Sequence, residues 1–146
     1  MKCCCFFGHR KLYADISCKL ELQIEDLILN NNVKGFYVGN NGAFDMTVIK
    51  ILDGLSKKHN ITYNIVIAYL PAKQESCYPY DISKTLYPEG IEKSPKRFAI
   101  SRRNEWMIEH SDYVISYVTN SYGGANKYTE IARRKGKKTI NIADTL

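Results

Sequence analysis

The sequence predicts an α/β domain, a three-layer sandwich in which helices cover both faces of a mainly parallel sheet of about five strands. Three observations carry this expectation. Short apolar runs, rich in β-branched and aromatic residues, alternate with longer segments of helical periodicity. Glycine-rich turns stand between strand-like and helix-like segments. The chain has 146 residues, which suits a single domain over residues 1–146, and no internal repeat divides it.

Residues 2–7 (KCCCFF) form a continuous apolar run, as expected of a central strand covered on both faces. Gly8-His9-Arg10 ends it. Asp15 is placed to cap a helix whose apolar positions Ile16, Leu20, Ile24, Leu27 and Ile28 keep helical spacing. Asn30-Asn31-Asn32 stops that helix. Residues 34–38 (KGFYV) read as a second strand, followed by the turn Gly39-Asn40-Asn41-Gly42. Phe44, Val48, Ile51, Leu52 and Leu55 mark a second amphipathic helix, and residues 61–69 (ITYNIVIAY) a third strand. Residues 96–110 look helical, and residues 112–118 (DYVISYV) form the fourth strand. Gly123-Gly124 opens a helix carrying Ala125, Tyr128, Ile131 and Ala132, and residues 138–143 (KTINIA) close the series.

The order β-α-β-α-β-loop-α-β-α-β implies right-handed crossovers and a Rossmann-like parallel sheet, with the spatial strand order 3-2-1-4-5. Ligands of such sheets lie beyond the carboxyl ends of the strands, where the order reverses. Residues 70–95 break the rhythm. All four prolines, Pro71, Pro79, Pro88 and Pro95, fall there, among several tyrosines. A stretch this long without a period reads as a functional loop. It is either a lid over the ligand edge or an excursion that packs its rings on the domain.

Composition narrows the function classes. No stretch approaches the ~18 or more apolar residues of a membrane span. The apolar opening lacks a signal peptide's long core and cleavage site, so the protein is expected in the cytoplasm. Of the five cysteines, Cys3, Cys4 and Cys5 are consecutive, Cys18 and Cys77 stand apart, and no CxxC pair occurs. Neighbours on a strand point to opposite faces, so reduced, mostly buried thiols are expected and no metal site. No cofactor is called for. The formal net charge of +6 favours anionic partners, although Arg133, Arg134, Lys135, Lys137 and Lys138 also suit a helix carboxyl end.

Three post-strand segments would meet at the ligand edge. In Gly8-His9-Arg10 the glycine allows close backbone approach and Arg10 suits a phosphate; His9 is a ligand contact or a hydrogen-bonded turn residue. In the second, Gly39, Asn40, Gly42 and Asp45 surround a helix start whose backbone amides form an anion site. Asp45 is either an N-terminal helix charge or a contact to a ribose hydroxyl. The third runs from Gly123 and Gly124 through Lys127 to Glu130. Lys127 would add a point charge. Glu130 is a ribose anchor, an acid/base group, or a surface partner of Arg134 four residues on. Arg102 and Arg103 sit on the preceding helix, either as a phosphate cradle or as a solvated basic face.

The run from Arg103-Asn104-Glu105-Trp106-Met107 to Ser111-Asp112, then Gly123-Gly124-Ala125, resembles the RNxxM…S…GG signature of YpsA-like proteins of the SLOG superfamily. Cys4-Cys5-Phe6-Phe7-Gly8-His9-Arg10 is similar to that family's CFTGHR opening, and residues 39–45 to its SGxxxGxD turn, of which DprA-like proteins carry a related form. The resemblance implies a nucleotide ligand, held by a sensor or sequestering protein as in some phage-defence systems. It also implies a homo-oligomer, in which the helix of Arg103 and Trp106 is a candidate subunit contact. The superfamily includes the Lonely-Guy phosphoribohydrolases, which cleave the N-glycosidic bond of nucleoside 5′-monophosphates. By that likeness Arg103 and Glu130 would be catalytic if the chain is an enzyme. The sequence departs from the PGGxGTxxE pattern at Tyr122, Asn126 and Lys127, and has Asn104 where that family has lysine. The phosphate cradle is therefore expected to differ. Nucleic acid and membrane are not the expected partners.

Overall fold

The computed structural model describes residues 1–70 and 79–144. The fold grows outward from β1 (Lys2–Gly8), whose Cys4, Cys5 and Phe6 are at most 1% exposed. A strand so apolar on both faces is stable only between two covering layers. It pairs in parallel with β2 (Val33–Val38) on one side and β5 (Tyr113–Tyr117) on the other. β3 (Thr62–Val66) extends the sheet past β2, and β6 (Lys138–Asn141) past β5. These five strands lie in the order 3-2-1-4-5 that the sequence implies.

A sixth strand, β4 (Thr85–Leu86), makes the full order β4-β3-β2-β1-β5-β6, all parallel. It arises inside residues 70–95, where the sequence shows no strong period and short helical turns could not be placed. Two residues are too few to show a period. Ile65 and Val66 face Thr85 and Leu86, and the Ile67 amide donates to Leu86 O at 2.9 Å. The rest of residues 79–95 contains two 3-10 turns, Ile82–Lys84 and Ile91–Lys93. The part of the expected loop at residues 71–78, with Pro71 and Cys77, lies outside the described residues.

The layers follow from strand alternation. Cys4 and Phe6 of β1, Phe36 and Val38 of β2, and Ile65 of β3 turn one way, against α1 (Ser17–Asn30) and α2 (Ala43–Ser56). Leu20, Ile24 and Leu27 of α1, and Phe44, Val48, Leu52 and Leu55 of α2, recur every three or four residues and are buried. Cys5, Phe7 and Val114 turn the other way, against Met107 and Ile108 of α3 (Ala99–Glu109) and Tyr128 and Ala132 of α4 (Gly124–Arg134). Each such buried large side chain contributes about 1.5–3 kcal/mol.

Several element ends differ from the sequence expectation for visible reasons. Asp15 does not occupy the cap position of α1; its Oδ1 accepts from the Ser17 amide at 3.0 Å, one residue earlier, and Ile16 stands at the cap. The expected helix over 96–110 begins as a 3-10 turn, Lys96–Phe98, before α3 proper. β6 ends early because the Asn141 side chain closes on β5. Its Oδ1 accepts from the Val118 amide at 3.1 Å and its Nδ2 donates to Val118 O at 2.9 Å. The same Oδ1 takes the Ala143 amide and turns the backbone into a 3-10 turn.

Cys3, Cys4 and Cys5 are buried and free, whereas Cys18 is exposed on α1. Burial pushes the Cys5 thiol up to about 12, which keeps it protonated and unreactive. Among the described residues no helix is long and apolar enough to cross a membrane.

Candidate functional site

The sheet order reverses at β1, since the chain moves from β1 outward to β2 on one side and later to β5 on the other. A cavity of about 310 Å³ opens there, walled by the exits of β1 and β2 and by the first turns of α2, α3 and α4. Its volume falls in the range of small-molecule sites, about 300–1,000 Å³.

Two glycines let the β1 and β2 exits interlock. A Cβ on Gly8 would lie 2.1 Å from the Phe44 ring, and one on Gly42 would lie 2.5 Å from Arg10 Cα. Gly42 also has φ of 111°, which side chains rarely adopt. With both exits in contact, the Ala43 amide donates to Arg10 O at 2.7 Å. His9 ties β1 to the β5 exit. Its Nε2 accepts from the Thr119 amide at 3.0 Å, so that nitrogen carries no proton in this arrangement. The ring packs edge-on against Tyr117.

Arg103 reaches from α3 beneath two strand ends and is 3% exposed. Its Nε donates to Asn104 Oδ1 at 2.7 Å, and its Nη1 to Val66 O at 3.0 Å and Asn40 Oδ1 at 3.5 Å. A guanidinium has five donors. Among the described residues nothing accepts from Nη2, and Arg103 lines the cavity. Burial pulls the Arg103 pKa below its ordinary value, and the Asp45 charge works against that fall. Asn104 is buried too; its Oδ1 is held by Arg103, which leaves its amide donors on the cavity side.

Asp45 stands in the first turn of α2, with Oδ2 accepting from the Asn41 amide at 2.9 Å. Burial pushes its carboxyl up to about 6, against the Asn41 hydrogen bond and the attraction of Arg103 and Arg10. Desolvation therefore outweighs two neighbouring arginines. Gly39 separates the two buried charges. A Cβ there would lie 2.8 Å from Arg103 Nη1 and 3.0 Å from Asp45 Oδ2. Gly39→Ala is thus expected to cost about 1–3 kcal/mol, because the buried Arg103 has little room to withdraw. Gly54→Ala, with nothing within 4 Å of the added carbon, serves as the control. Urea unfolding of both variants measures the difference; equal stabilities would show that Arg103 yields freely.

The opposite wall is α4. Gly123 caps it with φ of 90° and no side-chain hydrogen bond, so the amides of Gly124 and Ala125 have no acceptor within the helix. Both residues line the cavity, as does Tyr128, whose hydroxyl meets Ser101 Oγ at 2.6 Å and ties α4 to α3.

Of the residues singled out from sequence, Gly8, His9, Arg10, Gly39, Asp45, Arg103, Asn104 and Gly124 line the cavity. Asn40 is one bond away, through Arg103, and its Nδ2 donates to the Tyr80 hydroxyl at 3.2 Å. Gly42 and Gly123 shape adjoining backbone. Lys127 and Glu130 are not brought to the cavity. Lys127 Nζ lies over the Tyr128 ring, and Glu130 pairs with Arg133, three residues on, not with Arg134. Arg102 is likewise outward, paired with Glu105.

Ile100, Met107, Tyr128 and Asn41 are wall residues that the sequence reading did not place in the site. A signal existed for the first. Ile100, Arg103, Asn104 and Met107 fall at i, i+3, i+4 and i+7, one face of a helix. No family model matches the chain, and no curated protein matches it.

Proposed function

We propose that this cavity holds a nucleotide or a nucleotide-derived, ADP-ribose-like phosphate ligand, which the protein senses or sequesters. The observation that carries the reading is Arg103: a buried guanidinium whose Nη2 has no protein acceptor among the described residues, in the wall of a cavity at the reversal of the sheet. Nη2 faces the cavity, so an anion there would exchange water for a charge-assisted hydrogen bond to a guanidinium that the fold already holds in place. The Asn104 amide and the open amides of Gly124 and Ala125 supply further donors, and Arg10 a second positive charge at the rim. Apolar Phe7, Ile100 and Met107 line the remainder and suit the less polar part of a nucleotide.

Holding the ligand is favoured over hydrolysis. The Lonely-Guy analogy assigns water activation to Glu130, and that carboxylate is engaged by Arg133 away from the cavity wall.

The test is a thermal-shift and calorimetric series with AMP, ADP, ADP-ribose and inorganic phosphate. A ligand at 100 times its Kd stabilises the fold by about 2.7 kcal/mol, a shift of several degrees. Arg103→Met is expected to weaken binding by about 100-fold, since charged hydrogen bonds contribute roughly 1.5–3 kcal/mol. No shift with any phosphate compound ends this reading.

A further inference from the structure

The cavity wall also carries an acceptor that an anion cannot satisfy. Asp45 is 9% exposed and uses only Oδ2, on the Asn41 amide; among the described residues nothing donates to Oδ1. A carboxylate oxygen in that position would repel a phosphate brought close to it. It suits a ligand group that carries a proton. The opposite demand, for negative charge, is made by Arg103 nearby. One point in space, the Cβ position of Gly39, lies 2.8 Å from Arg103 Nη1 and 3.0 Å from Asp45 Oδ2. Donor and acceptor thus stand less than 6 Å apart on the same wall.

We infer that Asp45 is a specificity-determining residue, and that the ligand class is a phosphorylated sugar whose hydroxyl donates to Asp45 Oδ1 while its phosphate meets Arg103. This rests on the phosphate-site reading above and sharpens it. Arg103 and Asp45 thus offer a donor and an acceptor side by side, as a ligand carrying both a phosphate and a hydroxyl group would need. A carboxylate also discriminates more sharply than a neutral acceptor, because a ligand without the hydroxyl leaves a buried charge unsolvated. Asp45 is fixed for the task by its place in the first turn of α2, by the Asn41 amide, and by Gly39, whose missing side chain keeps the wall between the two groups open.

The experiment compares AMP, 2′,3′-dideoxy-AMP and inorganic phosphate on the full chain by calorimetry. The wild type is expected to bind AMP roughly tenfold or more tightly than the dideoxy compound. In Asp45→Ala that ratio falls to near one, while inorganic phosphate still binds. Asp45→Glu, which keeps the acceptor on a longer stem, provides a second variant and is expected to retain part of the preference. Equal affinities of the wild type for AMP and its dideoxy form would overturn the inference and leave the phosphate site standing, as would an unchanged ratio in Asp45→Ala. Failure of all three compounds to bind overturns both.

Discussion

Gly8→Ala is expected to destabilise the fold by about 3 kcal/mol or more. The added Cβ would sit 2.1, 2.4 and 2.5 Å from three atoms of the Phe44 ring. Phe44 is 1% exposed, in the first turn of α2, and packs in the larger of the two core clusters. The ring cannot withdraw without opening a void or lifting the helix start. Lifting the helix start would break the Ala43-to-Arg10 hydrogen bond and move Asp45, so ligand affinity is expected to fall with stability. Guanidinium unfolding at constant m-value measures the loss, with Gly54→Ala as the reference for alanine in place of glycine. A loss below about 1 kcal/mol would mean that Phe44 has a second position in the core.

Asp45→Asn is expected to act in the opposite direction, and only once the pH has risen through the window in which the carboxyl ionises. The folded state raises the Asp45 pKa from 3.8 to about 6, so it holds the proton more tightly than the unfolded chain does. The folded protein therefore binds more protons between those values, and stability falls as pH rises through the window. Below pH 4 the carboxyl is neutral in both states and contributes no such cost. At pH 8 it is charged in both, and the cost is complete, on the order of 1–3 kcal/mol. Asparagine carries no charge at either pH and can still accept from the Asn41 amide. The variant should melt several degrees higher than the wild type at pH 8 and close to it at pH 4. Melting curves of the two proteins at both pH values decide the matter. A variant less stable at pH 8 would show that attraction to Arg103 and Arg10 outweighs the desolvation of Asp45. A stability cost at a cavity wall is the pattern expected where a charged group is kept for its ligand and not for the fold.

The two expectations join at Gly39 and Gly42. The motif GNNGAFD was legible as a turn opening a helix, and its glycines as places of close approach. Which partner approaches was not legible. Gly42 gives way to the backbone of Arg10, thirty-odd residues earlier, and Gly39 to a side chain from α3 far along the chain. Local sequence shows that a side chain is missing. The reason for its absence lies in another segment.

Arg103 and Glu130 make the same point from two ends of one family pattern. Both were singled out by spacing. In the structure Arg103 turns inward, because position 103 shares a helix face with Ile100, Asn104 and Met107. Glu130 is two residues from both Tyr128 and Ala132, which turns it to the far side of α4 from the face they bury, where it pairs with Arg133. A spacing in sequence specifies an angle around a helix, but which way that angle faces depends on how the helix sits on the sheet.

The sequence by itself determined the alternation of strands and helices, the parallel sheet with β1 at its centre, and the edge at which the cavity opens. These rest on hydrophobic periodicity and the handedness of crossovers, both properties of neighbouring residues. Only the tertiary structure decided the sixth strand, the interlock of Gly8 with Phe44, and the placing of Arg103 and Asp45 on either side of Gly39. Those features depend on contacts between segments distant in the chain, where two residues of strand or one absent Cβ leave no period to read.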